Sequence, residues 1–191
     1  MKNFLSLFIF SCMIVGINAQ TGLTGIASKT KIYLVRHAEK ATTPADNPVL
    51  TENGNTRAGD LMRKLQNKNV KRIYVTQFRR TQMTGDSMRI QLGIDTVKYL
   101  AEENGNDLFA KIIAHRDAGK TILIIGHSNT IPDYILKLGV TNYPTANIPE
   151  KEFDNIYLVY YKRTFPFFGR FKAHVKAGKY GAASAVSGAM Q

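Results

Sequence analysis

The sequence predicts an α/β protein, a three-layer α/β/α sandwich around a mostly parallel sheet with an antiparallel edge. Three observations carry that expectation. Apolar runs at Ile32–Val35, Arg72–Thr76 and Lys120–Gly126 are rich in β-formers and lack the alternation of a half-solvated strand, as in parallel strands covered on both faces. Between these runs lie segments with apolar residues at helical spacing. Near the C-terminus two strand patterns, Asn155–Lys162 and Arg170–Lys176, follow each other with only Pro166–Gly169 to turn the chain, as in an antiparallel hairpin. Strands alternating with helices and closed by a hairpin give this layered architecture.

A chain of 191 residues suits one domain with a full core. Its first 19 residues hold one positive charge at Lys2, an apolar run and a small residue at Ala19, the order of a cleaved secretory signal. The run Phe4–Ile17 is short for a membrane span, which needs roughly 20 apolar residues. Export to a periplasmic or extracellular space is therefore expected, with the mature chain starting at Gln20 and no stable membrane insertion. Acylation of Cys12 is a minor alternative. Cys12 is the sole cysteine, so cleavage leaves none for disulfides or thiol catalysis. Without Lys2 the chain keeps 25 basic and 14 acidic residues, a net +11 against +12 for the whole chain. That balance favours anionic partners. No RNA-binding signature, zinc-finger spacing or arginine-rich arm points to nucleic acid.

Residues 20–30 read as a polar linker into the strand Lys31–Arg36, and the domain is expected over 31–177. The segment Ala41–Pro48, with two prolines, must loop over the end of that strand, facing substrate. Thr51 is suited to cap a helix carrying Ala58, Leu61, Met62 and Leu65 on one face. After the second strand, Gln77–Thr84 leads into a helix ended by Gly93. Thr96–Leu100 is a third strand, and Gly105 and Asn106 precede a helix with Leu108, Phe109, Ile112 and Ile113 on one side. His127-Ser128-Asn129 follows the most apolar strand and leads into a helix with Pro132 near its first turn. In the last strand Phe171, Ala173 and Val175 alternate with Lys172, His174 and Lys176. Residues 178–191, mostly Ala, Gly and Ser, are expected to form a flexible tail.

Three predicted strands end in basic or imidazole groups: Arg36 and His37, then Arg79 and Arg80, then His127. A parallel sheet gathers these ends, where ligands of open α/β sheets bind. Two guanidiniums offer forked donors to phosphate oxygens, and two imidazoles supply a nucleophile and a further donor. The helix after His127 adds backbone N–H groups and its positive dipole. A dianionic phosphoryl group suits this set.

Four motifs now on the page resemble the histidine phosphatase superfamily, the phosphoglycerate-mutase-like proteins, and in particular its small exported bacterial branch. They are V-R-H-A-E-K at Val35–Lys40, L-T-E-N-G-N-T-R-A at Leu50–Ala58, T-Q-F-R-R-T-Q-M-T at Thr76–Thr84 and I-G-H-S-N-T at Ile125–Thr130. The third selects Arg80 over Arg79. The resemblance implies the same sandwich fold, His37 as the phosphorylated nucleophile, and Arg36, Arg80 and His127 as catalytic clamps on the phosphoryl oxygens. Ser128 joins them in binding phosphate. Ala38 stands where the family often has glycine, and Thr76-Gln77 where Ser-Pro is common.

The implied activity is a metal-independent phosphatase acting on phosphomonoesters, with a phosphorylated small molecule or phosphoprotein as substrate and no cofactor. Mutase-type phosphoryl transfer and non-catalytic binding of a phosphorylated ligand are the alternatives. No motif selects the proton donor among Glu39, Glu102, Glu103, Asp107 and Asp133. His115 and His174 read as surface residues, leaving no three clustered ligands for zinc.

Overall fold

The computed structural model describes residues 29–163 and 171–184. The expected signal, the linker as far as residue 28, the turn at Pro166–Gly169 and the last seven residues lie outside them. In chain order the elements are β1 (Lys31–Arg36), α1 (Glu52–Leu65), β2 (Val70–Thr76), α2 (Arg79–Leu92), β3 (Thr96–Tyr99), α3 (Asn106–Ala114), β4 (Thr121–Gly126), α4 (Thr130–Lys137), β5 (Asn155–Arg163) and β6 (Phe171–Lys179). One six-stranded sheet runs β3-β2-β4-β1-β5-β6. The first four strands in that order pair in parallel, while β5 and β6 run antiparallel at one edge. This is the mixed α/β sandwich anticipated above.

The unbroken apolar runs follow from burial on both sides. Ile32 and Leu34 of β1 pack with Leu108, Ile112, Ile131 and Tyr134 of α3 and α4, whereas Val35 packs with Leu61, Leu65 and Met88 of α1 and α2. Each such large side chain contributes about 1.5–3 kcal/mol on full burial. Because the strands are covered on both faces, polar side chains are displaced to their ends. Arg36, Thr76 and Gly126 end the three central strands side by side.

Two local devices position the segment that carries His37. The Thr51 hydroxyl accepts from the Gly54 N–H at 3.1 Å, capping α1, and the Thr51 N–H donates to the Glu39 carbonyl at 2.9 Å. That brings the first turn of α1 onto the backbone just after His37. A Cβ at Gly54 would lie 2.2 Å from the Glu39 oxygen, so only glycine allows this approach. Gly93 closes α2 in the left-handed region at φ 63°, as a C-terminal glycine should.

Some expectations need correction. Ile113 is 53% exposed, so the buried face of α3 is narrower than its sequence suggests. β6 extends to Lys179, and no flexible tail begins at Gly178. Tyr180 is buried, and its N–H donates to the Asp154 carbonyl at 2.9 Å. The Ala182 carbonyl accepts from Arg57 at 2.9 Å, while the Ser184 hydroxyl accepts from the backbone N–H of Phe153 and of Asp154. Residues 178–184 therefore belong to the folded domain, held by backbone groups that composition cannot announce.

Candidate active site

His37 follows β1 with its backbone N–H on the Gly126 carbonyl, 3.0 Å away, and it is buried. Ala38 donates its own N–H to the Thr84 hydroxyl at 2.9 Å, and its methyl group packs with Leu50 and Ala58. The position thus accommodates a Cβ. The His37 Nδ1 lies 2.8 Å from the Ala38 carbonyl. A carbonyl can only accept, so Nδ1 carries the proton and Nε2 of the neutral ring keeps its lone pair. Burial, with the charges of His127, Arg36 and Arg80 behind it, lowers the His37 pKa to about 3 despite the opposing Ala38 hydrogen bond. A neutral imidazole with a free Nε2 is the form a nucleophile needs.

His127 follows β4, its ring centroid 5.5 Å from that of His37. Its Nε2 lies 3.1 Å from the Thr76 hydroxyl, and Arg80 Nη2 approaches its Nδ1 at 3.5 Å. Burial first, then Arg80 and Arg36, lower its pKa to about 4. Unfolded imidazoles take a proton near pH 6.5. Between that pH and about 4 the unfolded chain binds more protons than the folded one, so stability is lost as pH falls through this window. The melting temperature is expected to drop from pH 6.5 to 4, and to drop less steeply for His127→Gln. Parallel profiles for the two proteins would refute this assignment.

The two arginines are arranged alike. Arg36 stacks its guanidinium 4.3 Å from the centre of the Phe153 ring, and Arg80 lies 4.3 Å from that of Phe78. Both Nε atoms are buried without a hydrogen-bond partner in the protein. Burial and the nearby Arg36 charge pull the Arg80 pKa below the usual guanidinium value. Two mutually repelling cations, Arg36 buried and Arg80 half-buried, each with a buried and unused Nε donor, call for an anion. Arg79, by contrast, is exposed, and its backbone N–H donates to Asn47 of the Ala41–Pro48 loop. The structure therefore gathers Arg36, His37, Arg80 and His127 and leaves Arg79 outside.

Ser128 is half-buried at the start of the segment leading into α4, and its hydroxyl donates to Glu150 Oε1 at 3.2 Å. Glu150 is a member of the site that no motif signalled. Its Oε2 accepts from Arg36 Nη2 at 2.7 Å, while Arg36 Nη1 donates to the carbonyls of Pro149 and Glu150 at 2.9 Å each. The Arg36 and Ser128 charges and donors hold the Glu150 pKa below the usual carboxylate value against its partial desolvation. This side chain is 80% exposed, so the pair is solvent-screened and worth at most about 1 kcal/mol. Glu150→Gln should free one Arg36 donor for a bound anion. Inhibition by inorganic phosphate is expected to tighten roughly two- to five-fold, with kcat little changed; weaker inhibition would show that the carboxylate instead holds Arg36 in place.

Among the possible proton donors, Glu39 has both carboxylate oxygens on Arg57, at 2.7 to 2.9 Å. Asp107 accepts from Lys111 and from the Leu100 N–H, which hold it ionised below the usual carboxylate range. Both are structural acceptors. Glu102 and Glu103 lie in the turn after β3, next to Ala101, whose N–H donates to Gln77 at the margin of the site. Asp133 is half-buried on α4. His115 caps the C-terminal end of α3, and His174 lies on β6. Among the described residues no group of three or more His, Cys, Asp or Glu side chains could hold a metal ion.

Residues 32–108 match the histidine phosphatase superfamily, branch 1. The matched stretch contains Arg36, His37 and Arg80 but ends before His127. Solved structures share the fold. SixA from Agrobacterium tumefaciens is 20% identical, with a TM-score of 0.51 over 81% of this chain and 99% of that one. A protein histidine phosphatase SixA complexed with tungstate is 14% identical, with a TM-score of 0.50 over 78% and 96%. A mycobacterial glucosyl-3-phosphoglycerate phosphatase is 13% identical, with a TM-score of 0.56 over 81% and 99%. At these identities the likeness is one of fold. No curated protein sequence matches the chain. The match over residues 32–108 is in keeping with phosphatase or phosphoryl-transfer chemistry.

Proposed function

We propose that this chain is an exported phosphatase that hydrolyses phosphomonoesters through a phosphohistidine on His37. The observation that carries the reading is the pairing of a neutral His37, its Nε2 free, with two guanidiniums whose buried Nε donors have no partner among the described residues. Nε2 attacks phosphorus, the ester P–O bond breaks and the leaving oxygen takes up a proton. The resulting imidazolium is steadied by its Nδ1–H on the Ala38 carbonyl. Water then attacks phosphorus and the P–N bond breaks, releasing phosphate, restoring the lone pair on Nε2 and returning to solvent the one proton that the leaving oxygen had taken from it. Arg36 and Arg80 meet the charge on the equatorial oxygens, and His127, once a dianion raises its pKa, donates from Nδ1. Ser128 adds a hydroxyl donor beside them.

Phosphoryl transfer demands mainly positioning and charge neutralisation, which two arginines can supply without a metal ion. A SixA structure of the same fold is complexed with tungstate, an oxyanion, in keeping with an anionic ligand here. A phosphorylated small molecule or phosphoprotein is the proposed substrate class. Hydrolysis is favoured over mutase-type transfer because the described residues hold no large insertion to enclose a bisphosphorylated intermediate. Release of phosphate from p-nitrophenyl phosphate in the presence of EDTA tests the proposal; binding of phosphate without turnover would reduce the protein to a ligand binder. Export is part of the same proposal, and mass spectrometry of the secreted protein should find an N-terminus at or near Gln20. Full-length chain confined to the cytosol would contradict it.

A further inference from the structure

The antiparallel edge has one covered and one open face. On the covered face Tyr157, Val159, Tyr161 and Ala173 join the core beneath α3 and α4. On the other face α1 and α2 reach only as far as Ile156 of β5, and Leu158, Tyr160 and Lys162 run on beyond them. The register sets Lys172 opposite Lys162, His174 opposite Tyr160 and Lys176 opposite Leu158, with Lys31 of β1 on the other side of Tyr160. Side chains at these paired positions share a face. Lys31, Lys162, Lys172 and Lys176 therefore surround a Tyr160–His174 stack, all four exposed and none in an ion pair among the described residues.

Charge is segregated along the chain in the same sense. All 14 acidic residues lie at or before Asp154, whereas the stretch after it carries Lys162, Arg163, Arg170, Lys172, Lys176 and Lys179. Lys179, on the covered face, is paired with Asp154 and Glu152. The open face has no such neutralisation. Its positions alternate with apolar ones along β6, so the same strand builds core on one side and a cationic plane on the other.

We propose that this plane docks on an anionic phospholipid bilayer. A sheet face whose described cations are point-charge lysines suits a diffuse layer of headgroup phosphates rather than one bidentate ligand. Nucleic acid is the poorer fit. Base stacking needs a free aromatic face, and Tyr160 is already flanked by the His174 ring at 5.5 Å and by Lys162 Nζ at 5.6 Å from its centre. The orientation is also productive for an enzyme. β1 runs from Lys31 toward His37 and β5 runs against it, so Lys31 and Lys162 share the end of the sheet away from the nucleophile. Docking this way leaves the His37 end of the sheet uncovered by the bilayer. This inference rests on the fold and stands whatever the catalytic reading.

The test is sedimentation of the full chain with vesicles of phosphatidylcholine alone and of phosphatidylcholine with phosphatidylglycerol. Neutral vesicles report the apolar N-terminal segment, and the excess on anionic vesicles reports the lysine face. Each lysine near such a surface contributes roughly five-fold. The variant combining Lys31→Gln, Lys162→Gln, Lys172→Gln and Lys176→Gln should therefore lose about two to three orders of magnitude of the anionic excess, as added salt also should. Its circular dichroism and its turnover of p-nitrophenyl phosphate should match the parent. Should it misfold, Lys162→Gln with Lys172→Gln should lose about 25-fold by the same arithmetic. Equal binding to both vesicle types, or an excess unaffected by these variants, would overturn the proposal. So would variant-sensitive binding of oligothymidylate with no vesicle preference, which would reassign the face to nucleic acid.

Discussion

Replacing His37 by alanine is expected to abolish turnover of every phosphomonoester while leaving the sheet intact. The side chain is buried, but its one hydrogen bond is to the adjacent Ala38 carbonyl, so its loss removes no tie between distant elements. Backbone bonds that hold the segment, from His37 N–H to Gly126 and from Ala38 N–H to Thr84, survive the change. What disappears is the proposed nucleophile. Rapid quenching with labelled substrate should trap an acid-labile, base-stable phosphoryl group on the peptide containing His37 in the parent, with EDTA present, and none in the variant. Label on another peptide, or activity that vanishes with the chelator, would overturn the mechanism. Loss of secondary structure in the variant would show instead that His37 carries the fold.

Why the reactive groups could be read from the sequence is a matter of where strands end. Arg36, His37 and His127 adjoin apolar runs too continuous to be anything but strands covered on both faces, and a parallel sheet brings such ends together. The cap at Thr51 and the stop at Gly93 are equally local, each set by one residue's own conformational preferences. Glu150 had no such signal. It sits in an irregular loop 114 residues from Arg36, and an exposed glutamate in a loop normally means only solubility. Arg57 likewise reads as one more polar residue on α1, yet it is buried and joins Glu39 to the carbonyls of Tyr180 and Ala182. That one guanidinium explains why the C-terminal segment is ordered where small residues suggest a tail. It also explains why Glu39, next but one to His37, is engaged in structure. Long-range polar ties of this sort have no periodicity, and only the folded chain discloses them.

Arg80→Ala should leave the nucleophile in place and still cost about 2.7–4 kcal/mol of transition-state stabilisation, the measure of losing one preorganised donor at a developing oxyanion, or 10²–10³ in kcat. The expectation is specific because its neighbour is a built-in control. Arg79 has the same charge one position earlier, yet it is exposed and faces the Asn47 loop, so Arg79→Ala should change kcat by far less. Net charge falls equally in both variants, and general attraction of an anionic substrate is weakened equally. Only Arg80 is stacked on Phe78 with a buried, unused Nε and an Nη2 within 3.5 Å of His127. Removing it also removes a positive charge that disfavours protonation of His37 and His127, so both imidazoles should titrate at higher pH. The acid limb of the kcat/KM profile is accordingly expected to move up in Arg80→Ala and to stay put in Arg79→Ala. Equal losses in the two variants would reduce Arg80 to one more surface cation. A large loss in Arg80→Ala with an unmoved acid limb would keep its role on the phosphoryl oxygens but refute its electrostatic hold on the two histidines.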